Sequence, residues 1–345
     1  MMRVESPMGE YMANEKDSRL MAKADRSKGQ KGSYLMMPES MDKDKDGSFG
    51  EDLAEGIAFN KIQTYKFPIF QPLAGDFAVS QVESRALLDY LFNQWNIFAF
   101  VTFSPANNLS APLKYNAGDA KKRIIASMLE KDVAINGMVS GIYNETITQK
   151  AFNQTNQGTD GDFFQWAYFH FGRLSFSTPG WWIPEIKGED GKSNSNAEAN
   201  FMAWATKENL SNVHVPWAPV THPDFPGQKV EVGGIRPFVM YNPPFAKVDS
   251  IAMEHTAFIL KLAAMSPKLE FHNVKSEKLG NGLTRITADL FNNSSLPTHS
   301  EMGEKSRWLR NIRVDISKDA ADLVSGEKIK LINKLDAYGK ITLSW

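Results

Sequence analysis

Three aspartates, Asp42, Asp44 and Asp46, alternate with lysines just ahead of a glycine. This spacing matches the opening of a calcium-binding loop, in which alternate carboxylates on a tight turn converge on one hard cation. The twelfth position of such a loop supplies a bidentate glutamate, and here that position is Leu53. The pattern therefore leaves two interpretations open, a calcium site and a solvated acidic turn.

Aromatic residues are dense between Phe163 and Trp182. Aromatic faces can stack on sugars or on peptide side chains, but at helical and strand spacing they more often form core. Trp181 follows a predicted strand and lies beside Gly180. We therefore expect the rings of Trp181 and Trp182 to be exposed in a binding cleft.

The composition excludes several kinds of chemistry. The 345 residues include 0 Cys, which excludes disulfides, thiolate catalysis, Cys-type zinc sites and iron–sulfur clusters. With 39 basic and 40 acidic residues, no global field favours nucleic acid or an anionic membrane. No segment reaches the roughly 18 to 20 apolar residues of a membrane span. Charges throughout residues 1–32 indicate no signal peptide, so we expect a cytoplasmic protein or the later part of a longer one.

The elements that position these residues begin with a helix from Ser80, where Ser80 and Glu83 form a capping-box pattern. A continuous apolar run follows at 97–103, which is typical of a strand buried on both faces. A second helix and strand are predicted at 162–172 and 174–178. Helices followed by buried strands favour an α/β core with a mixed, largely parallel sheet flanked by helices.

The hydrophobic period changes to two after Pro267, which predicts an antiparallel β-sandwich of Ig-like type. Because the chain stops within a predicted strand, we expect this sandwich to be truncated. We predict three regions, a polar and mobile segment at 1–33, an α/β domain at 34–265 and the sandwich at 268–345.

The segments GEDLAEGIAFNK, VESRALLDYLFNQWNIFAFVTFSPANN and GDFFQWAYFHFGRLSFSTPGWW lie in this order within 34–265. Together they resemble the zinc carboxypeptidases of the funnelin type. The first, GEDLAEGIAFNK, resembles the loop in which that family's Asn-Arg pair holds the carboxylate of the substrate's C-terminus. Asn60 and Lys61 occupy those two positions here. Lys61 keeps the positive charge of the family's arginine, but it lacks the forked guanidinium group that can bind a carboxylate through two hydrogen bonds.

The second segment, VESRALLDYLFNQWNIFAFVTFSPANN, is similar to a family helix and strand that end in His-Ser, where the histidine binds zinc. Ser104 occupies the position of that histidine. The third segment, GDFFQWAYFHFGRLSFSTPGWW, is similar to the family's helix and strand that lead to the catalytic glutamate. Pro179 occupies the glutamate position.

The resemblance implies a zinc site that this chain does not supply. The family's other two zinc ligands lie in an H-x-x-E motif, and none of the 6 histidines here has glutamate at the third following position. His255 follows Glu254, but adjacent residues do not share a helix face, so we interpret it as ordinary helix surface. Proline at position 179 cannot transfer a proton. We therefore expect no zinc and no catalytic residue in this chain.

The resemblance implies a partial carboxypeptidase-like domain, without its first strands, that binds peptide or protein C-termini through Asn60, Lys61, Trp181 and Trp182. An upstream segment or another chain would complete the sheet. An upstream signal peptide would make the protein secreted or periplasmic. Two alternatives stay open, a true metallocarboxypeptidase whose zinc-ligand half lies upstream and a structural or adhesive module. No nucleic-acid motif and no membrane span are predicted.

Overall fold

The computed structural model describes residues 1–51, 56–148, 155–187 and 196–345. The chain divides into two compact units, and each is built from two separate stretches. The first unit comprises Met1–Gly56 and Trp181–Asp249, and the second comprises Ile57–Gly180 and Ser250–Trp345.

Thirteen strands and seven helices are assigned within the described residues. The strands are β1 (Met2–Glu5), β2 (Tyr11–Ala13), β3 (Met21–Lys23), β4 (Tyr34–Met37), β5 (Ala99–Phe103), β6 (Leu174–Thr178), β7 (His214–Val220), β8 (Val230–Ile235), β9 (Leu269–Gly280), β10 (Leu283–Asn292), β11 (Ile312–Asp315), β12 (Ile329–Ile332) and β13 (Lys340–Ser344). The helices are α1 (Val82–Phe92), α2 (Ala117–Ala120), α3 (Glu130–Thr146), α4 (Phe163–Phe169), α5 (Ala197–Lys207), α6 (Phe245–Ala264) and α7 (Glu301–Ser306). Within these ranges, no helix combines the length and the hydropathy that a membrane crossing requires.

A curled antiparallel sheet organises the first unit, with the strand order β3-β2-β4-β1-β8-β7. Residues 1–33, for which the sequence suggested a mobile polar segment, supply three of these strands. The reason is packing, since Met2 and Val4 alternate inward from β1 and lie fully buried against Val230 of β8. Strands of three or four residues are too short to show a period in the sequence.

The second unit contains a parallel pair of strands, β5 and β6, joined in register from Ala99↔Leu174 to Phe103↔Thr178. Helices α1 and α4 share one hydrophobic core beside this pair, which includes Leu88 and Trp166. The two predicted helix–strand pairs therefore exist as local units. Strand β6 is buried throughout, but the prediction that the 97–103 run is buried on both faces is wrong, because β5 is only half-buried and Phe103 is exposed.

Helix α1 begins differently from the predicted capping box. It starts at Val82, and its N-cap residue is Gln81, whose side chain makes no capping hydrogen bond. Ser80 lies one position too early to serve as the cap. Glu83 remains in the first turn, where an acidic side chain complements the helix dipole.

The predicted fold class, a largely parallel sheet flanked by helices, is wrong. Within the described residues, β5 and β6 form the only parallel pair, and the remaining paired strands are antiparallel. One edge of β6 is closed by a loop, because the backbone N–H groups of Asn108 and Leu109 donate to the Ser177 carbonyl at 3.0 and 3.3 Å. The hydrophobic pattern of the sequence predicts each helix and the strand that follows it. It does not determine whether a further strand pairs with that edge of β6.

Residues 268–345 contain antiparallel strands, as their two-residue period predicts. Strands β13, β10 and β9 form a three-stranded sheet, and β11 pairs with β12 in a second sheet. The buried side chains of Leu290, Val314, Ile332 and Leu343 form one core that draws on both sheets. Strand β9 is exposed along its whole length.

Candidate functional site

The carboxyl ends of β5 and β6 bring two of the singled-out positions together. Because Phe103 is opposite Thr178 in the parallel register, Ser104 and Pro179 follow the two strands side by side. We call this edge the strand-end site and define it by Ser104, Ser177, Thr178 and Pro179.

Ser104 is held by hydrogen bonds that leave it no activating base. Its Oγ lies 2.9 Å from the Ser177 Oγ and accepts the Ala106 N–H at 3.2 Å. Ser177 in turn donates to the Thr102 carbonyl at 3.2 Å. A nucleophilic serine needs an adjacent general base such as an imidazole or carboxylate, and these partners are hydroxyl and backbone groups. The arrangement favours a structural role for Ser104.

A buried phenol and imidazole lie next to Thr178. The Tyr143 hydroxyl is 3.0 Å from the Thr178 Oγ1 and 3.4 Å from His255 Nε2. His255 Nδ1 lies 2.9 Å from the Ile251 carbonyl, to which it donates. Burial raises the pKa of Tyr143 to about 12, which keeps the phenol neutral and a hydrogen-bond donor.

The sequence interpretation of His255 as helix surface is wrong, and Tyr143 was missed. The His255 side chain is only 6 % exposed. It lies on the same face of α6 as Phe258 and Leu262, the other buried residues of that helix. Their spacing of three and seven residues from His255 is the signal that could have identified the buried face.

Asn60 and Lys61 lie in a short 3-10 turn of the second unit, Phe59–Lys61. The Asn60 Oδ1 accepts the Phe163 N–H, at the start of α4, over 3.4 Å. The Lys61 Nζ donates to the Pro72 carbonyl at 3.2 Å. Among the described residues, Lys61 has no carboxylate within ion-pair distance. Within the described ranges, the hydrogen-bond partner of this ammonium group is therefore a neutral carbonyl.

Trp181 and Trp182 do not occupy an exposed cleft, and that prediction is wrong. Their side chains are 6 % and 9 % exposed and belong to the core of the first unit. The Trp181 ring centroid lies 5.8 Å from that of Trp204 on α5. Core packing, the common use of aromatic residues, therefore accounts for both.

The aspartate loop brings its three carboxylates within 4.8 Å of one another. The Asp42 carboxylate accepts the N–H groups of Lys45 and Gly47 at 2.6 and 2.9 Å. Asp46 accepts the Ser48 N–H at 2.7 Å. Leu53, at the twelfth position, lies outside the described residues. The two interpretations of this loop, a calcium site and a solvated acidic turn, both stay open.

A three-ligand zinc site does not fit the strand-end site. Such a site needs three protein ligands drawn from His, Asp, Glu and Cys, and the groups here are hydroxyls, one phenol and one imidazole. In the described ranges, the aspartate loop is the one place where three such residues converge. It lies in the first unit and offers only hard carboxylate oxygens, which suit calcium better than zinc.

Comparison with known proteins gives one match. Residues 268–345 match the model of a family described as a domain of unknown function (DUF8731). This segment contains β9 to β13 and α7 and begins where the sequence period changes. No curated protein and no solved structure matches the chain.

Proposed function

We propose that this chain, whose sequence resembles the zinc carboxypeptidases, binds the C-terminal ends of peptides through the turn that carries Asn60 and Lys61 and does not hydrolyse them. The observation that carries the non-catalytic half of the proposal is the register of β5 and β6. It puts Ser104 and Pro179 side by side, at the positions where the resemblance expects a zinc-binding histidine and a catalytic glutamate. The two positions are adjacent, but neither residue can bind zinc or act as a general base.

Lys61 supports the binding half of the proposal. Its ammonium group has a carbonyl partner and no acidic partner in the described part of the chain, and a peptide carboxylate would add a charged partner to it. Asn60 is anchored to the first turn of α4, which fixes the turn that carries Lys61. Charge-assisted hydrogen bonds to carboxylates are stronger than neutral ones.

The binding half is tested with a fluorescently labelled peptide by fluorescence anisotropy. We expect the dissociation constant to rise by about tenfold in Lys61→Ala, which corresponds to one hydrogen bond to a charged group. Amidation of the peptide C-terminus has the same effect on the wild type. Lys114→Ala, which removes an exposed lysine outside the turn, leaves the constant unchanged. Equal affinity for the acid and amide peptides contradicts the proposal.

The non-catalytic half is tested by elemental analysis after dialysis against a trace of zinc. We expect less than about 0.1 equivalent of zinc, because a three-ligand site retains its metal and a hydroxyl-lined edge does not. Carboxypeptidase assays on the same sample show no release of C-terminal residues. Stoichiometric zinc with peptide hydrolysis would instead identify a working metallocarboxypeptidase.

A further inference from the structure

An apolar pocket of about 410 Å³ opens on the first unit. Its walls come from α5 and from the loops before β7 and after β8. Phe201 and Trp204 are almost fully buried and contribute the aromatic part of the wall. Sites for small molecules are concave, mostly apolar and of roughly 300 to 1,000 Å³, so this pocket has the size of a small-molecule site.

The lining of this pocket is electrically neutral. None of its 12 residues is charged, and the set includes prolines 237, 243 and 244. Beside the pocket, Lys247 Nζ lies 5.7 Å from the Trp204 ring centroid and 2.8 Å from the Glu208 carboxylate, so this pair is neutral as a whole. Arg236 precedes Pro237 in the chain but is not one of the lining residues. An ionic ligand would lose its hydration without gaining a counter-charge.

Polar atoms are few and lie toward the mouth of the pocket. Asn242 Nδ2 donates to the Phe238 carbonyl at 3.1 Å, which leaves the Asn242 side-chain oxygen as an acceptor. The exposed Ser211 hydroxyl also lines the pocket. These groups can accept one or two hydrogen bonds from a bound molecule.

Phe238 at the pocket rim is held in a costly backbone conformation. Its φ is 66°, in the left-handed region that bulky residues rarely adopt. Its ring is 73 % exposed, although a phenylalanine of this kind gains stability from burial. Strained residues cluster at ligand-binding sites, where the strain belongs to the function. A ligand that covers the Phe238 ring would remove its apolar surface from water, and this burial would favour binding.

We propose that this pocket binds a free, neutral ring compound with a hydrogen-bond donor, such as a phenol, an arylamine or an aryl alcohol. The inference does not depend on peptide binding, since every lining residue belongs to the first unit. The aromatic and proline walls take the ring, and the Asn242 oxygen accepts the donor. The absence of charge from the lining disfavours carboxylated analogues.

The test uses the full chain and the neutral fluorescent probe N-phenyl-1-naphthylamine. We expect saturable fluorescence enhancement with a stoichiometry of one. Ser211→Trp places an indole in the mouth and weakens binding by about tenfold or more, and Phe238→Ser weakens it by about fivefold, through the loss of apolar contact. Phe70→Ser is the matched control, since Phe70 is also exposed, has a φ of 62° and lies in the second unit.

Competition then tests the charge of the ligand. Benzyl alcohol displaces the probe, and benzoate at the same concentration displaces it at least about tenfold less well, because the lining offers it no cation. Circular dichroism of each variant verifies that it folds. Probe fluorescence that does not saturate, equal affinity in Ser211→Trp and wild type, or equal displacement by benzoate would overturn the proposal.

Discussion

The strand-end site of the second unit and the apolar pocket of the first unit differ in how their polar atoms are used. At the strand ends, hydroxyl, phenol and imidazole groups bind one another and the backbone. In the pocket, the walls are apolar and the polar atoms at the mouth are partly free. Polar groups that are satisfied internally stabilise a fold, whereas unused ones recognise a ligand. The comparison therefore predicts that changes at the strand ends alter stability and that changes in the pocket alter binding.

The largest effect is expected for Asn108→Ala. The fully buried Asn108 side chain accepts the Ser177 N–H at 2.8 Å and donates to the Ser175 carbonyl at 3.0 Å. Its removal leaves two buried backbone groups of β6 without these partners, at a cost of about 3 to 4 kcal/mol. Urea unfolding followed by circular dichroism measures the loss.

The matched control for this variant is Asn93→Ala. Asn93 also donates a side-chain hydrogen bond to a carbonyl, that of Asp89, but the pair is exposed. We expect its effect to stay below about 0.5 kcal/mol. If both variants lose the same stability, the hydrogen bonds at the β6 edge are not what holds the strand-end site together.

A pH-dependent effect of intermediate size is expected at Asp162, the N-cap residue of α4. Burial raises its pKa to about 6, against the lowering effect of the hydrogen bonds from Gln165 and Thr159. A raised carboxyl pKa means that the folded state binds the proton more tightly than the unfolded state. The contribution of Asp162 to stability is therefore full below about pH 4 and is lost as the pH rises through about 6.

Asp162→Asn isolates this effect, because asparagine keeps the capping oxygen and does not ionise. Relative to wild type, the variant should gain up to about 3 kcal/mol between pH 4 and pH 7. Carbon-detected NMR titration of the Asp162 carboxyl gives the pKa directly. A midpoint near 4, with a stability difference that does not change with pH, contradicts the prediction.

The sequence was most informative where one segment contains its own pattern. The helix of 162–172 and the apolar strand of 174–178 appear as α4 and β6, and the alternation after 268 appears as antiparallel strands. Met2 and Val4 were missed because β1 is short and its partners are β4 and β8, the latter more than two hundred residues away. Such pairing leaves no local signal.

The candidate sites likewise divide into those that the sequence could predict and those that depend on distant contacts. The juxtaposition of Ser104 and Pro179 could be inferred from two strands that run parallel. The pairing of Tyr143 with His255 could not, because it joins α3 to α6. The apolar pocket combines prolines and aromatic residues from three separate segments. In the sequence, each segment by itself is typical of a loop, a helix or a turn and gives no sign of a pocket. Sites assembled from distant residues become visible only when the tertiary contacts are known.

The smallest effect is expected at the aspartate loop, where the sequence left a calcium site and a solvated turn open. Asp42 and Asp46 already accept backbone N–H groups of their own loop, and Asp44 and Asp46 are exposed. We therefore expect 10 mM calcium chloride to raise the free energy of unfolding of the first unit by less than about 0.5 kcal/mol. A dissociation constant of about 1 mM would instead give about 1.4 kcal/mol at that concentration. Asp44→Ala, compared with Lys45→Ala as the control, distinguishes the two cases, since only a true site loses its calcium response when the carboxylate is removed.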